Sequence, residues 1–229
     1  YYYRFSPRQP VTKEEPADFS VSGYKMDLEI TDRLEGEVTL YIAEKTGRDH
    51  YYFTLYHTYQ VTGVRDQDGR RLQFQQYDDY VDVEDTGDIE AVTISYRGSA
   101  PGFYSHEKGI RLSSYVPYYP RPGYHVVFGK TEEIQNTEYF PILEENLCSF
   151  DIQIHTGQQV YSNLPELEKN HFQGEANGVF LLSGFVEEYD YRGVRILYPY
   201  DGREWDRGGW EKSIDYLKAF EAAHLPPEQ

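Results

Sequence analysis

From Lys25 to Ile42 the chain alternates apolar and polar residues with a period of two, and nothing else in it constrains the fold as tightly. Met26, Leu28 and Ile30 interleave with Lys25, Asp27 and Glu29, while Val38, Leu40 and Ile42 interleave with Glu37, Thr39 and Tyr41. Successive side chains of a strand point to opposite faces, so each run describes a strand with one buried and one wet face. Between them, Asp32-Arg33-Leu34-Glu35-Gly36 reads as a short turn in which Gly36 eases the bend. Strand formers recur over 51–55 and 59–64, and Asp66-Gln67-Asp68-Gly69 makes a hairpin turn into Leu72-Gln73-Phe74. Further strands read at 80–83, 91–96, 150–155, 179–185 and 194–198. Strands so closely spaced, with no helix between them, predict an all-β sandwich of mostly antiparallel sheets.

One segment departs from this pattern near the C-terminus. Trp210, Ile214, Leu217, Phe220 and Leu225 approximate helical spacing, with Glu211, Lys212, Asp215, Lys218 and Glu221 elsewhere on the cylinder. Gly208-Gly209 precedes this run and Pro226-Pro227 stops it, which predicts one C-terminal helix over 209–225. Ile214, Leu217 and Phe220 are expected to face apolar partners, either on the sheet or in a further domain that this helix begins. The domain organisation then reads as a linker or membrane-proximal segment over 1–20, a β-sandwich over 21–200, and a linker with the helix over 201–229. The cluster Tyr1-Tyr2-Tyr3-Arg4-Phe5 fits the interfacial end of a preceding membrane helix, or a strand that pairs onto the domain. No stretch approaches the ~20 apolar residues of a membrane span, and no signal-peptide core is present.

The segment 101–147 carries Pro101, Pro117, Pro120, Pro122 and Pro141 with several glycines, so it reads as a long irregular loop. Such an excursion serves as a functional lid or as a cover for an open sheet edge. Tyr115, Tyr118, Tyr119 and Tyr124 cluster in it and form the candidate binding surface. Rings restrained by proline stack on a sugar or peptide ligand at little ordering cost; the competing reading makes them plugs of the sandwich's end.

Chemistry is sparse. Seven histidines are scattered along the chain, and none pairs with another at the four-residue spacing of His-Glu-x-x-His. His106-Glu107 begins that motif, but Ile110 stands where its second histidine belongs. Asp66-Gln67-Asp68-Gly69 lacks the glycine and terminal acid of a calcium loop, since Arg71 and Tyr77 occupy those positions. Glycoside hydrolysis needs two carboxyls about 5–9 Å apart in a cleft, whereas Asp82 and Glu84 read as the wet face of a strand. No Gly-x-Ser-x-Gly occurs, no catalytic signature surrounds the single cysteine, Cys148, and no phosphate-loop lysine follows the glycines. Cys148 is expected to be a small buried apolar residue. No catalytic residue, metal ligand or cofactor is therefore expected. A formal net charge of −17 repels phosphate backbones, which excludes nucleic acid as a partner.

Two stretches carry a family likeness. Ser95-Tyr96-Arg97-Gly98 ends a strand in Tyr-x-Gly; Gly109-Ile110-Arg111-Leu112 returns, and Tyr115-Val116-Pro117-Tyr118-Tyr119-Pro120 forms an aromatic-proline corner. Further on stand Phe150-Asp151-Ile152-Gln153-Ile154 and Val160-Tyr161-Ser162-Asn163, read as paired strands leading into a Ser-Asn turn. In this order they resemble the saddle-shaped N-terminal β-domain of aminopeptidase N-type zinc metallopeptidases, over roughly Tyr24 to Pro199. Without a zinc motif, the resemblance points to the accessory domain, and best to the non-catalytic version found in ABC-type permease proteins. It implies an extracytoplasmic domain at the bacterial cell membrane for substrate capture, sensing or docking. Its partners would be the membrane-embedded remainder of the parent protein and its ATPase subunit, with a peptide or sugar ligand possible. The alternatives are a secreted carbohydrate-binding sandwich and the accessory domain of a zinc aminopeptidase whose catalytic half lies elsewhere.

Overall fold

The computed structural model describes residues 19–45, 49–77, 79–87, 89–99, 109–113, 116–123, 146–184, 186–199 and 206–224. In chain order the strands are β1 (Phe19–Ile30), β2 (Leu34–Lys45), β3 (His50–Thr54), β4 (Tyr59–Asp66), β5 (Phe74–Gln76), β6 (Tyr80–Glu84) and β7 (Ala91–Gly98). Then come β8 (Arg111–Leu112), β9 (Arg121–Pro122), β10 (Cys148–His155), β11 (Val160–Ser162), β12 (Glu166–Glu168) and β13 (His171–Ala176). The last elements are β14 (Leu181–Ser183), β15 (Val186–Tyr191), β16 (Val194–Pro199) and the helix α1 (Arg207–His224).

A seven-stranded sheet, ordered β12-β13-β10-β1-β2-β7-β4, forms the backbone of the fold. A four-stranded sheet (β5-β6-β3-β9) and a three-stranded one (β11-β14-β8) share its core, and β15-β16 stands as a separate hairpin. The alternation in β1 and β2 does what its period requires: Met26, Leu28, Val38 and Leu40 are buried while Lys25, Asp27, Glu29 and Glu37 face water. The small sheets complete the core with Phe53, Val81 and Val83 on one side and Leu112, Val160 and Leu181 on the other. This is an all-β, sandwich-like fold. Among the described residues its strands pair antiparallel save for β1 with β10, which run parallel with Tyr24 opposite Phe150; Phe53 and Gly123 add an isolated parallel bridge.

Several local expectations change. The turn between β1 and β2 is Thr31–Arg33, and Gly36 lies inside β2 opposite Tyr96. A side chain there would strike the Tyr96 ring, so Gly36 serves packing and not a bend. The strands containing Phe150 and Val160 do not pair with each other. Instead β10 lies between β1 and β13, while β11 joins β14 in another sheet. The segment expected as one strand over 179–185 contributes only Leu181–Ser183, followed by Gly184 at φ 97° before the chain enters the hairpin. Asp66-Gln67-Asp68-Gly69 is a turn. The Asp66 carboxylate accepts from the backbone N–H groups of Asp68 and Arg70 at 2.9 Å and from the Arg70 guanidinium at 2.8 Å. Burial alone would raise this carboxyl; those bonds outweigh it and hold it below its usual value.

Candidate functional site

The Tyr-x-Gly strand end and the aromatic-proline corner meet inside the molecule. Tyr96, on the inner face of β7, donates its hydroxyl to the Tyr118 carbonyl at 2.7 Å, and Tyr118 donates to the Val179 carbonyl at 3.2 Å. Tyr118 and Tyr119 are 0% and 1% exposed. Their rings stand edge to face at 4.9 Å, and Tyr119 meets Tyr24, which stacks on Phe150 at 4.9 Å. The Arg121 guanidinium lies 5.7 Å from the Tyr119 ring centre. Burial drives the Tyr96 and Tyr118 phenols well above their ordinary value. A stacking surface needs open ring faces, and these two tyrosines have none; they are plugs of the core. Tyr115 and Tyr124, as well as His106 and Glu107, lie outside the described residues.

The motif glycines are explained by the same packing. A side chain on Gly98 would run into the Thr58 carbonyl, and one on Gly109, at φ 84°, into the Ser183 carbonyl. Tyr-x-Gly and Gly-x-x-x are thus places where two backbones touch, which is a demand of the fold and not of a reaction.

Four histidines stand in separate pairs with aspartates: His50 with Asp82 at 2.7 Å, His57 with Asp79 at 2.9 Å, His155 with Asp27 at 3.1 Å and His171 with Asp151 at 2.8 Å. Among the described residues no three His, Cys, Asp or Glu side chains converge on one point. Asp82 does share the outer face of β6 with Glu84, opposite buried Val81 and Val83. Cys148 is buried in β10, its thiol directed at the Val21 carbonyl at 3.1 Å and its pKa raised by burial. Neither arrangement supplies a nucleophile with a base.

What remains as a candidate site is the C-terminal unit. Asp206 caps α1, accepting from the Gly209 N–H at 3.2 Å. The first half of the helix is clasped to the hairpin by tyrosines: Tyr189 donates to Glu211, Tyr191 to Asp215 at 3.3 Å, and Arg192 to the same Asp215. Tyr198 packs on Trp210 at 5.1 Å, and Arg207 lies over the Tyr189 ring at 5.0 Å. The bond to Glu211, with burial behind it, raises the Tyr189 phenol. Ile214 alone on the helix is buried, at 7% exposed. From Tyr216 to His224 every residue is exposed, and Tyr216, Leu217 and Phe220 stand 72%, 56% and 50% open. The expectation that Leu217 and Phe220 face apolar partners is thus corrected: the hairpin reaches no farther than the middle of the helix. Helical spacing revealed the stripe, but sequence reasoning missed that its far half overhangs.

Among the described residues no helix is long and apolar enough to cross a membrane. No protein-family model matches the sequence, and no curated protein does. Solved structures do share the fold. An M1 zinc metallopeptidase from Deinococcus radiodurans superposes with a TM-score of 0.59 at 14% identity, over 91% of this chain and 55% of that one. Leukotriene A4 hydrolase from Saccharomyces cerevisiae superposes at 0.58 and 12% identity, over 97% of this chain and 39% of that one. At such identities the likeness is one of fold, that of the N-terminal domain of these chains. The chain spans about half, or less, of the length of these two structures.

Proposed function

We propose that this chain is a non-catalytic accessory β-domain of a zinc-aminopeptidase-like polypeptide, and that the overhanging half of α1 seats a further domain of that polypeptide. The observation that carries this reading is the open stripe of Tyr216, Leu217 and Phe220 on a helix whose other half is tightly held. Nine successive exposed helical residues gain nothing from tertiary packing, and an isolated half-helix of that length is marginal in water. A domain that covers them removes both the exposed apolar surface and the fraying. The fold comparisons support the choice of occupant. The yeast enzyme is matched over 97% of this chain, too much to leave out an 18-residue helix, and it continues well beyond the matched part.

Hydrogen exchange on α1 tests the proposal. In the chain by itself, amides of 216–224 exchange freely while those of 211–215 are protected; in a longer product of the same reading frame, both halves are protected. Equal, fast exchange of 216–224 in both products overturns the docking. In parallel, the isolated chain with added zinc leaves aminoacyl p-nitroanilides unhydrolysed. A chelator-sensitive activity in the isolated chain overturns the accessory role.

A further inference from the structure

The open face of the seven-stranded sheet carries a depression of about 340 Å³, and its walls come from four neighbouring strands. Cross-strand register builds it as two rungs. One rung runs Tyr41 (β2), Gly23 (β1), Ser149 (β10), Glu175 (β13); the next runs Thr39, Lys25, Asp151, Gln173. Adjacent strands lie about 4.8 Å apart, so Tyr41 and Ser149, separated by side-chain-free Gly23, stand about 10 Å apart. Gly23 makes room for the Ser149 side chain at the edge of the notch: a Cβ there would fall on the Ser149 hydroxyl.

The notch is built, and its parts are held. A bulge in β1 sets Val21 opposite Ile42 but Gly23 opposite Tyr41, which turns both Ser22 and Gly23 toward this face. Ser22 Oγ donates to the Tyr41 carbonyl at 3.4 Å, and Ser149 Oγ donates to the Ser22 carbonyl at 3.3 Å. His171 fixes one oxygen of Asp151 at 2.8 Å. Tyr41, 44% exposed, is the large apolar side chain that β2 leaves on this wet face.

We propose that this notch binds one ring of a neutral saccharide. An exposed tyrosine offers an apolar surface for the C–H face of a pyranose. Around it, Lys25, Ser149, Asp151, Gln173 and Glu175 supply both donors and acceptors, and sugar hydroxyls are both at once. Lys25 faces Asp151 across the parallel pair and offsets its charge, while Glu175 leaves one carboxylate over, which turns away anionic ligands. The volume lies at the small end of ligand sites and suits a single ring, not a long groove. This site is separate from the helix surface, so either proposal can fail without the other.

Nitrogen-15 chemical-shift titrations of the chain with cellotetraose, chitotetraose and maltotetraose test it. At least one of the three shifts the amides of Gly23, Lys25, Tyr41 and Gln173–Glu175 in a saturable way, and Tyr41→Ala weakens that binding about tenfold. A control change on the helix, Tyr216→Ala, leaves it unaltered, and the undisturbed spectrum of Tyr41→Ala shows that the variant is folded. The proposal is overturned if none of the three sugars moves these amides at its solubility limit, if the shifts map elsewhere, or if Tyr41→Ala binds as tightly as the parent chain.

Discussion

Tyr96 and Tyr118 of the β-body lie inside and donate to backbone carbonyls, while the tyrosines of the C-terminal hairpin donate to carboxylates. Tyr96 and Tyr118 belong to the first kind, bonding to the Tyr118 and Val179 carbonyls within the core. Tyr189, Tyr191 and Tyr198 belong to the second, bonding to Glu211, Asp215 and Glu187. A buried ring brings the hydrophobic gain of its whole surface, and its hydroxyl then needs only a satisfied partner. A surface phenol–carboxylate bond competes with water and contributes little by itself. The body is therefore held by area, whereas the C-terminal unit is held by a clasp of polar contacts around two buried residues, Tyr198 and Ile214.

The largest effect expected from this contrast is in the body. Replacing Tyr118 and Tyr119 together by Ala removes two fully buried rings and costs several kcal/mol, as buried aromatic-to-Ala changes of about 3–5 kcal/mol each imply. Urea unfolding measures it, and a nearly unchanged midpoint would mean that the rings are not in the core. A smaller effect follows from alkali. Burial raises the Tyr96 and Tyr118 phenols well above the ordinary tyrosine value of about 10, and Tyr80, chiefly by burial, is pushed up to about 12. A raised folded-state pKa means stability that is complete below the unfolded value and lost as pH climbs from there through the folded value. The urea midpoint should therefore hold steady below pH 10 and fall above it, more gently once Tyr96→Phe has removed one of the phenols. A midpoint that ignores pH across this window contradicts the burial of these groups. The smallest effect belongs to the helix. Leu217→Asp should change the stability of this chain by no more than about 0.5 kcal/mol, the usual range for an open surface position. A loss of several kcal/mol would show that the stripe is covered within the chain itself, and the contrast between the two regions would collapse.

Much of the fold was legible. The alternation in β1 and β2 named their buried residues, because a strand's inward and outward positions follow from its own period. The helix was legible from its own spacing and from Pro226-Pro227 beyond it, to within a few residues of its ends. The candidate site was not. Tyr118 and Tyr119 sit in a proline-rich stretch without periodicity, where nothing local distinguishes a plug from a platform. Gly36 looked like a bend because its partner, the Tyr96 ring, arrives from another strand. The helix showed its apolar stripe but not that the hairpin would cover only half of it.

The sequence by itself determined the strand class, the C-terminal helix and the absence of a recognisable zinc-binding spacing, since each is written in residues close together along the chain. Only the tertiary structure decided which rings are inside and where a notch opens. Those outcomes depend on β1 meeting β10, contacts that join residues 127 positions apart, such as Cys148 and Val21. Such pairing is chosen by the joint burial of many side chains, and no local pattern encodes it.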